Sequence, residues 1–161
     1  MSTFIADDFR HGENFKIGHN VIIETGCVVG DNVEIGHFVL LKAGTIVGSN
    51  TFIDSYVKSS GDNSIGSGVT LRFNATIARE VHVEDDVFIA PNVMTIFSEF
   101  DGSKSAETRI CKGAFVGTAV VISPNVTIGE NAVIGAMSMV TSDCAPNSIY
   151  KGIPAAKTRD R

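Results

Sequence analysis

The sequence lacks the residues and runs that mark several large classes of protein. Its three cysteines, Cys27, Cys111 and Cys144, are widely spaced, which excludes a disulfide framework and the paired cysteines of a zinc site. This cysteine usage predicts a reducing compartment, the cytoplasm. Only 4 prolines accompany 16 glycines and a hydrophobic fraction of 43%, a composition typical of a globular chain rather than a disordered one.

Long apolar runs and an excess of positive charge are missing as well. The apolar stretch around Ala114–Ile122 is interrupted by Gly117 and is too short to span a membrane. The first residues, Met1–Glu13, include Asp7 and Asp8 and contain no apolar signal core, so we expect no export. The formal net charge of −5 argues against nucleic acid or an anionic membrane as the main partner.

A six-residue repeat runs through most of the chain. In a frame that begins at Ile17, the first position of each hexad is aliphatic except at Ser59, and the fifth is small or β-branched except at Asn63. A helix of about 3.6 residues per turn does not produce this spacing, and a plain alternating strand would not keep it over so many repeats. The frame fails after Met94 and resumes at Ile110 with a phase shift of three.

The fourth position of most hexads is Asn, Gly or Asp, the residues that adopt a left-handed backbone conformation at least cost. Each hexad is therefore interpreted as a short strand followed by a sharp corner, and three hexads close a triangular coil. The predicted fold is all-β, a parallel β-helix of about six coils with one extruded loop at about residues 95–109. We expect a single domain over residues 1–161, with repeats at about 17–145 and a C-terminal tail at 146–161.

The repeat and its closing segment together resemble the hexapeptide-repeat acyltransferases. The segment Val140–Lys157 reads VTSDCAPNSIYKGIPAAK, and the family tail usually reads close to V-x-D-x-P-x-x-x-x-x-G-x-P-A. This resemblance covers about Ile17 to Lys157. It implies a left-handed β-helix, which periodicity alone does not show, since ordinary parallel crossovers are right-handed. It also implies a trimer with active sites between neighbouring prisms.

Outward-facing sixth positions of the hexads support an oligomer independently. Many of them are apolar, for example Ile22, Ile46, Phe88 and Phe115. Such a surface is a liability on a soluble monomer, so buried subunit contacts are the simpler interpretation. Together with the trimer that the family resemblance implies, this surface leads us to predict a homotrimer.

The segment at the break in the repeat reads TIFSEFDGSKSAETR, with a turn signal at Asp101-Gly102. A tolerated surface loop is one interpretation. A functional loop is favoured, because long loops on rigid scaffolds are disproportionately functional. In the family that the chain resembles, such a loop projects across a neighbouring subunit and shapes the acceptor pocket.

Histidines, the usual general bases, are few in this chain. His19 and His37 hold equivalent positions on adjacent coils, but no third ligand follows in their column, so we interpret them as solvated corner residues and predict no metal. His82 occupies an outward position on the coil below the loop, where it either lines the intersubunit cleft or packs in the interface. In relatives with a catalytic His-acid pair, that pair corresponds to Arg79-Glu80 here, and the loop contains no histidine.

This shortage favours an amine acceptor. An amine of modest pKa arrives partly deprotonated, whereas a hydroxyl needs a general base. The segment around Asn74 also resembles the bacterial nucleotide-sugar N-acetyltransferases, some of which use an Asn there to hold the amine, although Asn is also an ordinary corner residue. The candidate catalytic residues are Asn74, His82 and Glu80.

Aromatic residues replace the usual corner residues in the column of Asn74. Phe38 and Tyr56 precede it on successive coils and Asn92 follows it. The aromatic side chains either stack on a base or sugar or fill an interface. The candidate substrate-binding residues are Phe38, Tyr56, Arg72 and Asn92.

The acyl donor is expected at the C-terminal coils. Ala119 and Met137 replace corner residues on successive coils there, and in the family the pantetheine arm of coenzyme A follows such a groove. Lys151, Lys157 and Arg159 are either phosphate partners or solvated tail charges. The implied coenzyme A contacts are Gly117, Thr118, Ala119, Gly135, Ala136, Met137, Lys151 and Lys157.

The predicted function is an acetyl-CoA-dependent N-acetyltransferase that acts on an amino sugar, most simply a nucleotide-linked one. Acetyl-CoA is then the co-substrate, and the partners are a small-molecule acceptor and two further copies of the chain. Two alternatives stay open: an O-acetyltransferase on a sugar or other small hydroxyl acceptor, with His82 or a loop acid assisting, and a non-catalytic scaffold. A carbonic anhydrase of the same fold is disfavoured because the spacing of its three metal histidines is missing.

Overall fold

The computed structural model describes residues 2–98, 101–103 and 107–161. Short strands follow one another at the spacing of the hexads, and each pairs in parallel with the strand one coil away. Residues eighteen positions apart are therefore neighbours, as in the pairs Phe4–Ile22 and Leu40–Lys58. The outcome is an all-β parallel solenoid with three sheets, here named A, B and C.

Sheet A contains β1 (Phe4–Ile5), β4 (Ile22–Ile23), β7 (Leu40–Leu41), β10 (Lys58–Ser59), β13 (Thr76–Ile77), β16 (Met94–Thr95), β19 (Val121–Ile122) and β22 (Met139–Val140). Sheet B contains β2 (Arg10–His11), β5 (Val28–Val29), β8 (Ile46–Val47), β11 (Ser64–Ile65), β14 (Val81–Val83), β17 (Thr108–Ile110) and β20 (Thr127–Ile128). Sheet C contains β3 (Lys16–Ile17), β6 (Glu34–Ile35), β9 (Phe52–Ile53), β12 (Thr70–Leu71), β15 (Phe88–Ile89), β18 (Phe115–Val116), β21 (Val133–Ile134), β23 (Ser148–Lys151) and β24 (Ala156–Asp160).

The solenoid has about eight coils, so the predicted number of six was wrong. One extra coil lies at the N-terminus, where the repeat begins at Phe4 rather than at Ile17. The sequence frame missed it because His11 takes an inward position there. An end coil is covered on one side only, and Phe4 is 57% exposed, so this coil does not need the aliphatic residues that reveal the repeat elsewhere.

The extruded loop is shorter than the predicted span of 95–109. Thr95 is a buried inward residue of β16, and β17 already begins at Thr108. Met94 pairs with Val121, twenty-seven positions on instead of eighteen, so nine residues are inserted at this corner. Nine residues exceed one hexad by three, which accounts for the phase shift. Residues 99–100 and 104–106 of the predicted loop lie outside the described residues.

Inward-facing aliphatic side chains fill the core, and Ile23, Leu41 and Ile77 are completely buried. The two residues that break the repeat, Ser59 and Asn63, are buried as well and bind each other. Ser59 Oγ donates to Asn63 Oδ1 at 3.0 Å, and Asn63 Nδ2 donates to the carbonyl oxygen of Ala78 at 3.1 Å. The polar interruption is thus satisfied within the core, as buried polar groups require.

The corners between sheets are named A/B, B/C and C/A in chain order, and the loop leaves from the A/B corner. Left-handed backbone occurs at the Asn, Asp and Gly corner residues, as predicted. It also occurs at four residues of the C/A corner that adopt it less readily: Phe38 at φ 56°, Tyr56 at φ 64°, Ala119 at φ 56° and Met137 at φ 57°.

The C-terminal tail folds back over the last coil. β23 pairs with β21 in parallel and with β24 in antiparallel direction. The backbone N–H of Gly152 donates to Ser138 Oγ at 3.0 Å, and that of Ala155 donates to the carbonyl oxygen of Met139 at 2.8 Å. These bonds fix the tail beside the C/A corner. None of the residues described forms a helix with the length and hydropathy needed to cross a membrane.

Candidate functional site

The C/A corner brings the predicted acceptor and donor residues onto one line. Asn74 N–H donates to the carbonyl oxygen of Ser55, Asn92 N–H to that of Phe73, and Ala119 N–H to that of Pro91, each one coil below. Because of the nine-residue insertion, Ala119 is the direct successor of Asn92. The corner column, from the N-terminal end, consists of Asn20, Phe38, Tyr56, Asn74, Asn92, Ala119 and Met137.

Aromatic side chains form the N-terminal part of this column. The rings of Phe38 and Tyr56 stack with centroids 4.9 Å apart and planes inclined by 14°. Phe73, which the sequence interpretation did not select, lies against Tyr56 at 5.2 Å and 60°. All three rings are between 42% and 46% exposed, so they present an apolar patch to solvent rather than a core contact.

Amide side chains follow directly after the aromatic patch. Lys58, on the outer face of sheet A, donates from Nζ to Asn74 Oδ1 at 2.8 Å, and Asn74 Nδ2 donates to Asn92 Oδ1 at 3.0 Å. Arg72 lies next to this group but its Nε is 3.3 Å from the Asp54 carboxylate, so its charge already has a partner. Sequence reasoning missed Lys58, since sixteen positions separate it from Asn74 instead of the eighteen of one coil.

The C-terminal part of the column carries little side-chain bulk near the backbone. Gly117 is packed so closely that an added Cβ would lie 2.6 Å from the backbone nitrogen of Ala136, and one at Gly135 would lie 3.0 Å from Lys151 Cβ. Thr118, Ala119 and Ala136 are exposed, and Met137 is 73% exposed. The surface offers a ligand the short side chains of Thr118, Ala119 and Ala136 beside the exposed thioether of Met137.

The two lysines predicted to bind phosphate differ in whether their ammonium groups are already paired with a carboxylate. Lys151 is exposed at the end of β23. Lys157 Nζ lies 2.6 Å from Asp160 Oδ1, and this hydrogen bond raises the pKa of Lys157 and lowers the pKa of Asp160. Lys151 is therefore the better placed of the two to meet an anionic ligand.

His82 belongs to a different face of the molecule. It lies on sheet B, which is the side of the triangle opposite the C/A corner, and its side chain is 27% exposed. Ser64 Oγ and His82 Nδ1 are 2.7 Å apart, and His82 Nε2 is 3.4 Å from Glu107 Oε1 at the end of the loop. Neither Ser64 nor Glu107 was selected from the sequence.

Glu80 lies near His82 in the chain but on a different corner from Asn74. It lies at the A/B corner with φ 57°, one coil after Asp62, whose carboxylate is paired with Arg79. One chain therefore does not bring Asn74, His82 and Glu80 together. If they act in one reaction, neighbouring subunits must combine them.

The His19 and His37 rings stack at 5.1 Å with planes within 5°. His37 Nδ1 accepts a hydrogen bond from the backbone N–H of His19 at 2.9 Å, and the two Nδ1 atoms are 3.2 Å apart. Lone pairs of parallel rings run side by side and do not converge on an ion. Across the described ranges, no group of three or more His, Cys, Asp or Glu residues is arranged to hold a metal.

A separate cavity of about 640 Å³ lies at the C-terminal end near the B/C corner, lined among others by Cys111, Cys144 and Tyr150. Burial raises the pKa of Cys144 to about 11 and also raises the pKa of Cys111. Both thiols are therefore protonated at neutral pH, which makes them poor nucleophiles. This cavity shares no residue with the C/A corner column.

Two family models match the chain. The model of the GMPPB C-terminal domain matches residues 2–110, and the model of the bacterial transferase hexapeptide (six repeats) matches residues 107–142. The galactoside O-acetyltransferase of Escherichia coli (strain K12) is 37% identical over 107 residues, which are 60% of this chain and 53% of that protein. The chain thus spans about half the length of this relative.

Solved structures agree on the fold. A galactoside acetyltransferase in complex with coenzyme A has a TM-score of 0.64 and 32% identity, covering 73% of this chain and 64% of that one. AntD, an N-acyltransferase from Bacillus cereus in complex with dTDP and 3-hydroxybutyryl-CoA, has a TM-score of 0.69 at 23% identity and covers 100% of this chain and 91% of that one. Because the GMPPB model covers more than half of the sequence, the chain belongs to the GMPPB C-terminal domain family, and its following coils carry the hexapeptide repeat of the bacterial transferases.

Proposed function

We propose that this protein is an enzyme that transfers an acetyl group from acetyl-CoA to the amine of an amino sugar, most simply a nucleotide-linked one. One observation carries the proposal, the order of side chains along the C/A corner. After Asn20 the column has aromatic rings, then hydrogen-bonding amides, and last Ala119 and Met137, whose side chains have no hydrogen-bond donor. Each part suits one part of a ternary complex of base, sugar amine and coenzyme A.

The aromatic patch suits the base of a nucleotide. Phe38 and Tyr56 present stacked, partly exposed rings, and stacking on an aromatic side chain contributes about 1–3 kcal/mol per base. Three coil steps of roughly 4.8 Å separate Phe38 from Asn92, so a bound nucleotide could extend along the corner to the amides. The relative AntD binds dTDP, which supports a nucleotide-linked acceptor.

The amides suit the acceptor amine. Asn74 Oδ1 accepts one hydrogen bond from Lys58 and keeps a second lone pair for an amine N–H. The Lys58 ammonium also disfavours a second positive charge nearby, so a bound amine is held in its neutral, nucleophilic form. Its nitrogen then attacks the thioester carbonyl carbon, the C–S bond breaks, and coenzyme A leaves as a thiolate. The proton that the amine loses passes to that thiolate or to water.

The bare part of the corner suits the pantetheine arm. Thr118 and Ala119 are exposed next to Ala136 and Met137 one coil further on, while the buried Gly117 and the half-buried Gly135 let the two coils pack closely beneath them. Lys151 is available for a phosphate, whereas Lys157 would first have to leave Asp160. A galactoside acetyltransferase of this fold binds coenzyme A, which supports the same co-substrate here.

The active molecule is proposed to be a homotrimer of left-handed, single-domain prisms, residues 1–161 each, in the cytoplasm. Outward apolar residues on different sheets support the oligomer: Ile46 is 44% exposed and Met94 is 50% exposed. In a trimer the C/A corner of one prism can face sheet B of the next. That arrangement would bring His82 and Glu80 of one subunit towards Asn74 of another.

A second candidate, O-acetyl transfer, rests on the contacts of His82. An imidazole between a serine hydroxyl and a carboxylate is arranged to take up a proton, which a hydroxyl acceptor requires. The relative from Escherichia coli is an O-acetyltransferase. The N-acetyl proposal is preferred because the hydroxyl next to His82 belongs to the protein itself, and the corner column lies on another face.

Thiol release from acetyl-CoA distinguishes the candidates. The assay pairs dTDP-4-amino-4,6-dideoxyglucose with the matched sugar nucleotide that carries a hydroxyl in place of the amine. We expect coenzyme A thiol to be released with the amino sugar nucleotide and not with its hydroxyl counterpart. Release with the hydroxyl compound or a galactoside, and none with the amine, would replace it by the O-acetyl candidate. No release with either acceptor class would favour a non-catalytic scaffold.

A further inference from the structure

The side-chain amides of the C/A corner form a directed chain of hydrogen bonds that starts at a charge. Lys58 Nζ lies 2.8 Å from Asn74 Oδ1, and Asn74 Nδ2 lies 3.0 Å from Asn92 Oδ1. An ammonium group only donates, so the atom of Asn74 that faces it must be the carbonyl oxygen. Lys58 thereby fixes the orientation of both amides.

This orientation leaves one donor at the end of the chain. Asn92 Oδ1 accepts a hydrogen bond from Asn74 on the coil below. The Nδ2 group, on the other side of the same amide, therefore faces the next coil. The corner residue of that coil is Ala119, whose side chain has no polar atom, and Asn92 Nδ2 has no partner within the described part of the chain. The amide N–H groups of Asn92 therefore meet whatever ligand lies along the bare part of the corner.

A positive charge at the start of such a chain strengthens the last donor. Each amide is polarised by the one before it. Both hydrogen bonds lie at the surface, so the effect grows when a bound ligand excludes water from them. Donors that are already oriented stabilise a developing negative charge without reorganisation during the reaction. The negative charge in acyl transfer develops on the thioester carbonyl oxygen.

We propose that Asn92 Nδ2 donates to the thioester carbonyl oxygen of the bound acyl-CoA and stabilises the oxyanion, and that Lys58 polarises this donor through Asn74. The inference rests on the proposed function, since it assigns residues to the acyl-transfer step of that reaction. Asn92 is then a catalytic residue and Lys58 a positioning residue that acts through the amides. Asn74 contacts the acceptor amine through Oδ1 and orients Asn92 through Nδ2.

The B/C corner provides a built-in comparison. Asn14 Nδ2 donates to Asn32 Oδ1 at 2.9 Å, and Asn32 Nδ2 donates to Asn50 Oδ1 at 3.1 Å. Asn50 ends this ladder below Gly68, as Asn92 ends the other one below Ala119. Over the described ranges, no lysine is bonded to the start of this ladder, so it serves as a structural ladder without charge.

Kinetics of three variants test the assignment. Asn92→Ala is expected to lower kcat by about 100-fold, the usual effect of removing one oxyanion donor, with KM for acetyl-CoA within about threefold. At a pH where the acceptor amine is already neutral, Lys58→Met should lower kcat by roughly tenfold and Lys58→Arg should restore most of it. Under the same conditions Lys58→Met should add little in the Asn92→Ala background, because both then act on one interaction. Asn50→Ala, the matched control, should keep wild-type kcat.

A spectroscopic readout separates this inference from the proposed function. Acetonyl-CoA carries a ketone in place of the thioester and cannot transfer its acyl group, so its carbonyl infrared band reports the hydrogen bond without any acceptor. The band should move to lower wavenumber on the wild-type protein and on Asn50→Ala, and return towards its free position on Asn92→Ala and Lys58→Met. An unmoved band on the wild type, or an equal band on Asn92→Ala, overturns the inference.

The outcomes remain distinguishable. If wild-type protein releases thiol with the amine acceptor but Asn92→Ala keeps its kcat, the proposed function stands and the role of Asn92 is wrong. If Lys58→Met raises KM for the acceptor and leaves kcat unchanged, Lys58 binds the acceptor phosphates and does not polarise the amides. If the wild type transfers no acetyl group to any acceptor, the proposed function fails on its own assay.

Discussion

Ser64 Oγ and His82 Nδ1 lie 2.7 Å apart on neighbouring strands of sheet B, so the histidine nearest to the loop is already bound within its own chain. Its second nitrogen faces Glu107, where the loop rejoins the sheet. Asn74 lies at the opposite corner. These contacts describe a histidine that ties the end of the loop to the solenoid.

Replacing His82 by Gln should therefore change N-acetyl transfer little. We expect kcat with an amine acceptor to stay within about threefold of wild type, because His82 is already bound within its own chain. Removal of a general base, by contrast, normally lowers the rate about 10²–10⁴-fold. Steady-state thiol release measures this directly. A loss of 100-fold or more would identify His82 as the base and support the O-acetyl candidate.

Tyr56→Asn separates the stability of the corner from acceptor binding. Tyr56 has a left-handed backbone, φ 64°, which costs an ordinary side chain about 1–2 kcal/mol and costs Asn less, so the substitution relieves backbone strain. It also removes the ring stack on Phe38, which costs about 0.5–1.5 kcal/mol. These effects nearly cancel, so the melting temperature should move by only a few degrees. KM for a nucleotide-linked acceptor should rise about five- to 150-fold, since a base–aromatic stack contributes about 1–3 kcal/mol.

Asp86→Asn is the matched control for this substitution. Asp86 is an exposed left-handed residue at φ 58° on the B/C corner, away from the aromatic patch. The Asp86→Asn substitution should leave KM for the acceptor unchanged. An equal rise of KM in both variants would mean that the effect of Tyr56→Asn is not local to the aromatic patch.

The cysteines should react slowly with thiol reagents at the pH of an enzyme assay. Burial raises the pKa of Cys144 to about 11, and it also raises the pKa of Cys27 and Cys111. A raised pKa keeps the unreactive thiol form, so at pH 8 only about one Cys144 in a thousand is a thiolate. Its labelling rate should climb about tenfold per pH unit until the pH approaches 11. Fast labelling of folded protein at pH 8 would contradict this burial.

Much of the fold could be predicted because corner chemistry and inward packing repeat every six residues. The end coil escaped notice because His11 can occupy an inward position that lies at an open end. The limits of the loop were wrong because Thr95 is buried yet not aliphatic. The packing constraint on the end coil is weaker than in the interior coils. At Thr95 the position is as buried as its neighbours, but a hydroxyl bonded to the backbone of Ala78 and Thr76 replaces the aliphatic side chain.

The candidate site was only half predictable for a different reason. Phe38, Tyr56 and Asn92 stand out because they occupy regular corner positions. Lys58 and Glu107 contact their partners through long outward side chains, and their spacings of sixteen and twenty-five residues differ from the coil length. The nine-residue insertion also hides that Ala119 follows Asn92, since their spacing is twenty-seven.

Ile46→Glu tests the proposed trimer. Ile46 is 44% exposed and pairs with Val28 on sheet B, so a charge there should weaken subunit contact with little effect on the fold of one chain. Light scattering at micromolar concentration should give three times the chain mass for wild type and a smaller mass for Ile46→Glu. Arg10→Glu, at an exposed position on the same sheet, should keep the trimer. A monomeric wild type would contradict the trimer.

The most direct test of the central claim is the mass of the reaction product. Protein, acetyl-CoA and an amino sugar nucleotide are incubated together, and the nucleotide is analysed by mass spectrometry beside its hydroxyl counterpart. The account predicts that the amino compound gains one acetyl group, that one equivalent of coenzyme A is released, and that the hydroxyl compound is unchanged. Acetylation of the hydroxyl compound, or no acetylation of the amine at saturating concentrations, would contradict it.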